Sequence, residues 1–164
     1  MGGEVGGGGG GSALLKAAEA RMPIAAHAEG VLHAHRALAR LARDERPRGG
    51  FPPLVVGDFN AETDSDEIRF MTGLHSLAGT SVYFHDAWRV AGDGGAGTTW
   101  SNTNPYARKE LEPDRRIDYV FAGMPRRDGI GLLESCRVVC EDEQDGVWPS
   151  DHLGVFARLR TEPL

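Results

Sequence analysis

Apolar residues fall into short runs separated by long polar stretches. The sharpest run is Leu54, Val55 and Val56, set between Pro52-Pro53 and Gly57. Its brevity and β-branched content predict a buried strand that ends at Gly57. The polar stretch after it leads into a short helix over 66–71, with Ser65 as its cap and Gly73 closing it. A second short apolar segment, 83–90, reads as helical or turn-like, and 98–100 as a short strand. In 116–121 the period of two puts Ile117, Tyr119 and Phe121 on one face and Arg116, Asp118 and Val120 on the other. Further strands are predicted over 132–140 and 152–159, the last with Leu153, Val155, Ala157 and Leu159 on one face. Residues 91–97, 104–114 and 141–149 read as loops.

Upstream of Pro52 the pattern is helical. Ser12 caps an alanine-rich helix over 13–21 that Pro23 terminates. In a second helix, 29–44, Val31, Ala34, Leu38 and Leu41 form one apolar stripe. Residues 1–11 are nearly pure glycine, a composition that predicts disorder. The expected organisation is therefore a glycine-rich tail (1–11), a helical lead (12–50) and one domain (51–164). That domain is α/β in the α+β sense, with a mainly antiparallel or mixed sheet and flanking helices.

At 164 residues there is room for one domain, and 40% hydrophobic content suffices for a core. The net charge of −6 disfavours broad nucleic-acid binding, which needs a basic face, without excluding a nuclease built on a local acidic metal site. Cys136 and Cys140 read as core residues of a protein in a reducing compartment, which places it in the cytoplasm. No apolar stretch is long enough to span a membrane, and the start lacks the features of a signal peptide. On a helix, i and i+2 face apart, so His33 and His35 cannot chelate one ion. With His27 they read as surface or packing residues.

Three stretches share a grammar: GDFN at 57–60, RIDYVF at 116–121 and PSDHLGV at 149–155. Each sets an acid among apolar residues at a strand, where a charge is costly unless paired or metal-bound. Asp58 and Asn60 stand where a strand stops. Asp118 sits within a strand. Asp151 adjoins His152, and a histidine oriented by an aspartate can serve as acid, base or phosphate clamp. Together these side chains can bind Mg²⁺, align a water and stabilise a phosphorane-like transition state. Singly, each motif also fits an ordinary turn or salt bridge, with Asp58 and Asn60 bonding local backbone. An EF-hand over 58–69 fails because Thr63 replaces the glycine and Arg69 the final acid. A Ser-His-Asp hydrolase fails for want of a Gly-x-Ser-x-Gly elbow.

With GDFNAETDSDEIRF (57–70), TTW (98–100), NP (104–105), PDRRIDYVF (113–121) and VWPSDH (147–152), the sequence resembles the endonuclease/exonuclease/phosphatase superfamily of Mg²⁺-dependent phosphoesterases, over about 51–160. The resemblance implies a four-layer αββα sandwich with the site between its two sheets. It makes Asp58 the acid that orients or deprotonates the attacking water and Asn60 the amide that binds the scissile phosphate. Asp118 becomes the partner of the catalytic His152, and Asp151 a carboxylate of a Mg²⁺ (or Mn²⁺) site shared with Asp58 and Asn60. Trp100 and Asn102 fall at substrate-side loop positions. Arg115 and Arg116 are either phosphate contacts or solvated salt bridges. The implied substrate is a phosphodiester or phosphomonoester of unspecified identity.

The family's opening half, which carries a glutamate metal ligand, has no β-rich counterpart ahead of GDFN. Glu4-Val5 resembles its Gln-Glu-Val strand and His27 its Thr-His-Leu strand, both without matching neighbours. The expectation is therefore the C-terminal half of the sandwich, with one apolar sheet face left open. That makes the alternative to an active enzyme a catalytically incompetent half-domain, a binding module or gene fragment. Self-association through the unpaired sheet face is a further expectation.

Overall fold

A computed structural model describes residues 50–164 apart from residue 78. The expected tail and helical lead, with His27, His33, His35 and Glu4-Val5, lie outside the described residues. The architecture is α+β with antiparallel sheets. Strand β1 (Leu54–Asp58) pairs with β3 (Asp118–Ala122), and β3 pairs on its other side with the two-residue β2 (His85–Asp86). A second antiparallel pair joins β4 (Leu133–Val139) to β5 (Gly154–Leu159). Helix α1 (Asp66–Met71) follows β1, helix α2 (Ala87–Ala91) follows β2, and a 3-10 turn spans Ala107–Glu110.

The main core lies on one face of the three-stranded sheet. Ile68, Phe70 and Met71 of α1 bury against Tyr119 and Phe121, with Ala61, Val82 and Phe84 completing the cluster. Phe59 sets its ring edge-on to Tyr119 and Phe121, at centroid distances of 5.6 and 5.1 Å. The predicted alternation thus holds for Tyr119 and Phe121, while Ile117, just before β3, is buried in a second cluster with Trp100 and Ala107. Burial pushes the Tyr119 phenol above its ordinary range, so it stays a neutral donor, within 2.9 Å of the Ala61 carbonyl and 3.0 Å of that of Arg116.

The structure corrects several sequence expectations. β1 is a strand, but Leu54 and Val56 are 45 and 63% exposed. A run of apolar residues does not say how many faces are covered, and among the described residues this strand lies at the edge of its sheet. It also runs through Gly57, whose φ of +145° only glycine adopts freely, to end on Asp58. Ser65 precedes α1, but its hydroxyl makes no cap bond. Residues 83–90 split into β2 and α2, while 98–100 makes only a single bridge, Trp100 to Arg115. Cys136 is buried in β4, whereas Cys140, just past the strand end at φ +60°, is exposed, so only the first is a core residue.

Arg116 departs furthest from expectation. It precedes β3 rather than lying within it, so strand alternation does not govern it. Its guanidinium makes a two-pronged ion pair with Asp86, at 2.9 and 2.7 Å, with 5 and 1% of the two side chains exposed. It also lies 4.6 Å over the Tyr119 ring. The same Asp86 carboxylate accepts the Trp88 N–H at 3.0 Å and caps α2. Arg116 is therefore neither a phosphate contact nor a solvated salt bridge.

Candidate active site

The antiparallel register sets Asp58, the last residue of β1, directly opposite Asp118, the first of β3. Asp118 is thus not embedded in mid-strand. It stands at the sheet's open end, half-buried, and its charge is met by a partner. His152 Nδ1 lies 2.8 Å from Asp118 Oδ2. With a carboxylate as acceptor, Nδ1 carries the proton, and the imidazole's other nitrogen, Nε2, is left for a ligand. The Trp100 indole meets the His152 ring edge-on at a centroid distance of 4.9 Å and walls one side of it.

Asn60 folds back on Asp58. Its main-chain N–H reaches Asp58 Oδ1 at 2.7 Å, and its side-chain amide reaches Oδ2 at 3.2 Å. Asn60 adopts φ +48°, a left-handed conformation that asparagine tolerates better than most residues. The local-turn reading of these two residues therefore holds in its geometry, and the turn leaves both side chains exposed at the strand end. Asp151 is exposed next to His152, and its Oδ1 accepts the Ser150 hydroxyl at 3.2 Å. The structure thus joins Asp118 to His152, aligns Asp58 with Asp118, ties Asn60 to Asp58 and leaves Asp151 at the rim.

Among the weaker candidates, Arg115 pairs with Glu112 and sits beside the Trp100 ring. Asn102 is committed to its own loop: its main-chain N–H and its side-chain amide both reach Asp114 Oδ1, at 2.7 and 2.8 Å. These bonds hold the Asp114 carboxyl below its usual range. A carboxyl so depressed adds stability above its unfolded pKa, and that stability is lost as pH falls through the lowered value. Wild type should accordingly melt higher than Asp114→Asn at pH 7. The gap should close on acidification below about pH 3.9, which a thermal-melt series over pH would show.

Two buried polar residues to which sequence reading gave no chemistry also converge on this region. Thr99, fully buried, accepts the N–H groups of Ile117 and Asp118 on its hydroxyl, each at 3.1 Å. Its carbonyl accepts the Leu153 N–H at 2.7 Å. Asn104, also fully buried, donates its amide to the Ser150 carbonyl at 2.8 Å. An open groove of about 920 Å³, lined by Trp88, Asp114, Arg137, Asp142 and Trp148 among others, includes none of Asp58, Asn60, Asp118 and His152.

Among the described residues, no three His, Cys, Asp or Glu side chains gather as a metal-ligand group. The donors near the sheet end are nonetheless the right kind for Mg²⁺ or Mn²⁺: carboxylate and amide oxygens, with no thiolate. Mg²⁺ keeps several waters and commonly uses one or two carboxylates with substrate phosphate, so it does not require a complete protein cage. No described helix is long and apolar enough to cross a membrane.

The family model of the endonuclease/exonuclease/phosphatase family matches residues 2–152. That span begins well before Phe51, where the motif resemblance starts, and takes in the positions of Glu4-Val5 and His27. Nothing among curated proteins or solved structures matches the chain. With GDFN, DYVF and SDH at one end of the sheet and the match running through His152, the chain belongs to the endonuclease/exonuclease/phosphatase family, whose members act on phosphate esters.

Proposed function

We propose that this chain is a metal-dependent hydrolase of a phosphodiester or phosphomonoester, working at Asp58, Asn60, Asp118 and His152. The observation that carries the reading is the 2.8 Å bond between Asp118 and His152, made beside a strand-end carboxylate, Asp58, that register aligns with Asp118.

In this mechanism His152, held by Asp118 through Nδ1, presents Nε2 to a phosphoryl oxygen. The aspartate favours the positive imidazolium that would meet the charge building there. Asn60 donates its amide to a second phosphoryl oxygen. Asp58 takes a proton from the attacking water. The water oxygen forms the new P–O bond, the bond to the leaving oxygen breaks, and the departing alcohol gains a proton from solvent. Trp100 shields one side of the imidazole from bulk water. Asp151, with Asp58 and Asn60, would hold Mg²⁺ or Mn²⁺, which when bound supplies positive charge against the phosphate.

The test is turnover of bis-p-nitrophenyl phosphate by the full chain with Mg²⁺ or Mn²⁺, with EDTA and Asp151→Ala as controls. The reading expects release of p-nitrophenolate that EDTA abolishes and Asp151→Ala cuts by at least about 10–100-fold, the range for losing even a residue that only supports a metal ligand. Turnover that persists in Asp151→Ala and in EDTA would remove the metal assignment.

A further inference from the structure

We infer that Thr99 and Asn104 are positioning residues, a buried polar clamp that holds Asp118 and His152 at hydrogen-bonding distance. The inference rests on the proposed role of that pair, although the clamp itself can be read without turnover.

Asp118 and His152 are far apart in sequence and sit on different segments. Asp118 opens β3, whereas His152 stands on the loop before β5, a strand in the other sheet. The ladder to β1 cannot set the distance between them. Phe59 donates to the Ile117 carbonyl, so the Asp118 N–H points away from β1. Its acceptor is the Thr99 hydroxyl, at 3.1 Å. One residue therefore grips both segments: Thr99 takes Asp118 on its side chain and Leu153, next to His152, on its carbonyl at 2.7 Å.

Asn104 completes the hold from the other end of the 150–153 loop. Its amide is 2.8 Å from the Ser150 carbonyl, and its Oδ1 is fixed by the Tyr106 N–H at 2.9 Å. Ser150 Oγ in turn accepts the His152 N–H at 3.1 Å. Residues 150 and 153, on either side of His152, are thus both tied to the 99–104 segment. Trp100, within that segment, lies against the imidazole itself. Thr99 and Asn104 are each fully buried, so neither has water as an alternative partner.

The variants are Thr99→Val, which keeps the shape and removes the acceptor, and Thr99→Ser, which keeps the acceptor. In the metal-free full chain, the His152 Nδ1–H proton should give a downfield resonance by nitrogen-15-edited NMR, protected from exchange by Asp118. Thr99→Val should lose or broaden that resonance. It should also lower kcat by about 10–100-fold with KM nearly unchanged, while Thr99→Ser retains both. A folded Thr99→Val with wild-type resonance and kcat overturns the clamp. If Thr99→Val does not fold, amide exchange in the wild-type chain decides. Slow exchange of the Asp118 and Leu153 N–H groups, comparable with Phe121 in the core, supports the clamp, and fast exchange of either overturns it. If wild type shows no turnover, the proposed function fails, and the resonance and exchange measurements still decide on the clamp.

Discussion

Replacing His152 with alanine is expected to slow phosphate-ester turnover by about 10²–10⁴-fold, the usual worth of a positioned acid–base group. The fold should survive, because His152 is on a loop, partly exposed, and anchors no core cluster. The loss should fall on kcat, since in the proposed mechanism the charge that His152 meets grows towards the transition state. Asp118→Asn should lose less. An asparagine can still accept from Nδ1–H, but it supplies no negative charge to support a positive imidazole. Steady-state kinetics of both variants, with circular dichroism to verify folding, checks the order. Equal kcat in wild type and His152→Ala would remove His152 from the chemistry.

The largest stability effect is expected at Asp86. Asp86→Ala leaves the Arg116 guanidinium buried without its counter-charge and strips α2 of its cap. Breaking one side of a buried ion pair costs about 3–5 kcal/mol, and the lost cap adds about 1 kcal/mol. For a domain of this size that is a large fraction of the total stability. Replacing both partners with apolar residues, as in Asp86→Leu with Arg116→Met, should cost much less, because no charge is then left stranded. Urea denaturation of the single and double variants tests this. A single variant within about 1 kcal/mol of wild type would contradict the account of this pair.

The elements read most securely from sequence had local causes. Helix 66–71 falls where an acidic first turn and Gly73 set its ends. β1 follows from a short β-branched run between prolines and a glycine, and β3 and β5 from apolar alternation. The strand-end position of Asp58 could be read from its own motif, whereas Asp118, read within a strand, opens β3, and His152, read as the start of a strand, stands on the loop before β5. What escaped sequence reading depends on distant partners. Nothing near Arg116 says that Asp86 will bury it, and a two-residue strand such as β2 has no period to detect. The exposure of Leu54 and Val56 depends on what covers the sheet, which a run of β-branched residues does not encode. Thr99 and Asn104 carried a signal, the TTW and NP stretches. Their chemistry emerges only once the strand and loop they join lie side by side.

The central claim is that water attacks phosphorus at this site. Hydrolysis of bis-p-nitrophenyl phosphate by the full chain in oxygen-18 water, with Mg²⁺ or Mn²⁺ present, tests it most directly. The account predicts one labelled oxygen on phosphorus for each ester bond broken, none in the p-nitrophenol, and no incorporation above background with Asp58→Ala. Label in the p-nitrophenol, or incorporation by Asp58→Ala equal to that of wild type, would contradict it.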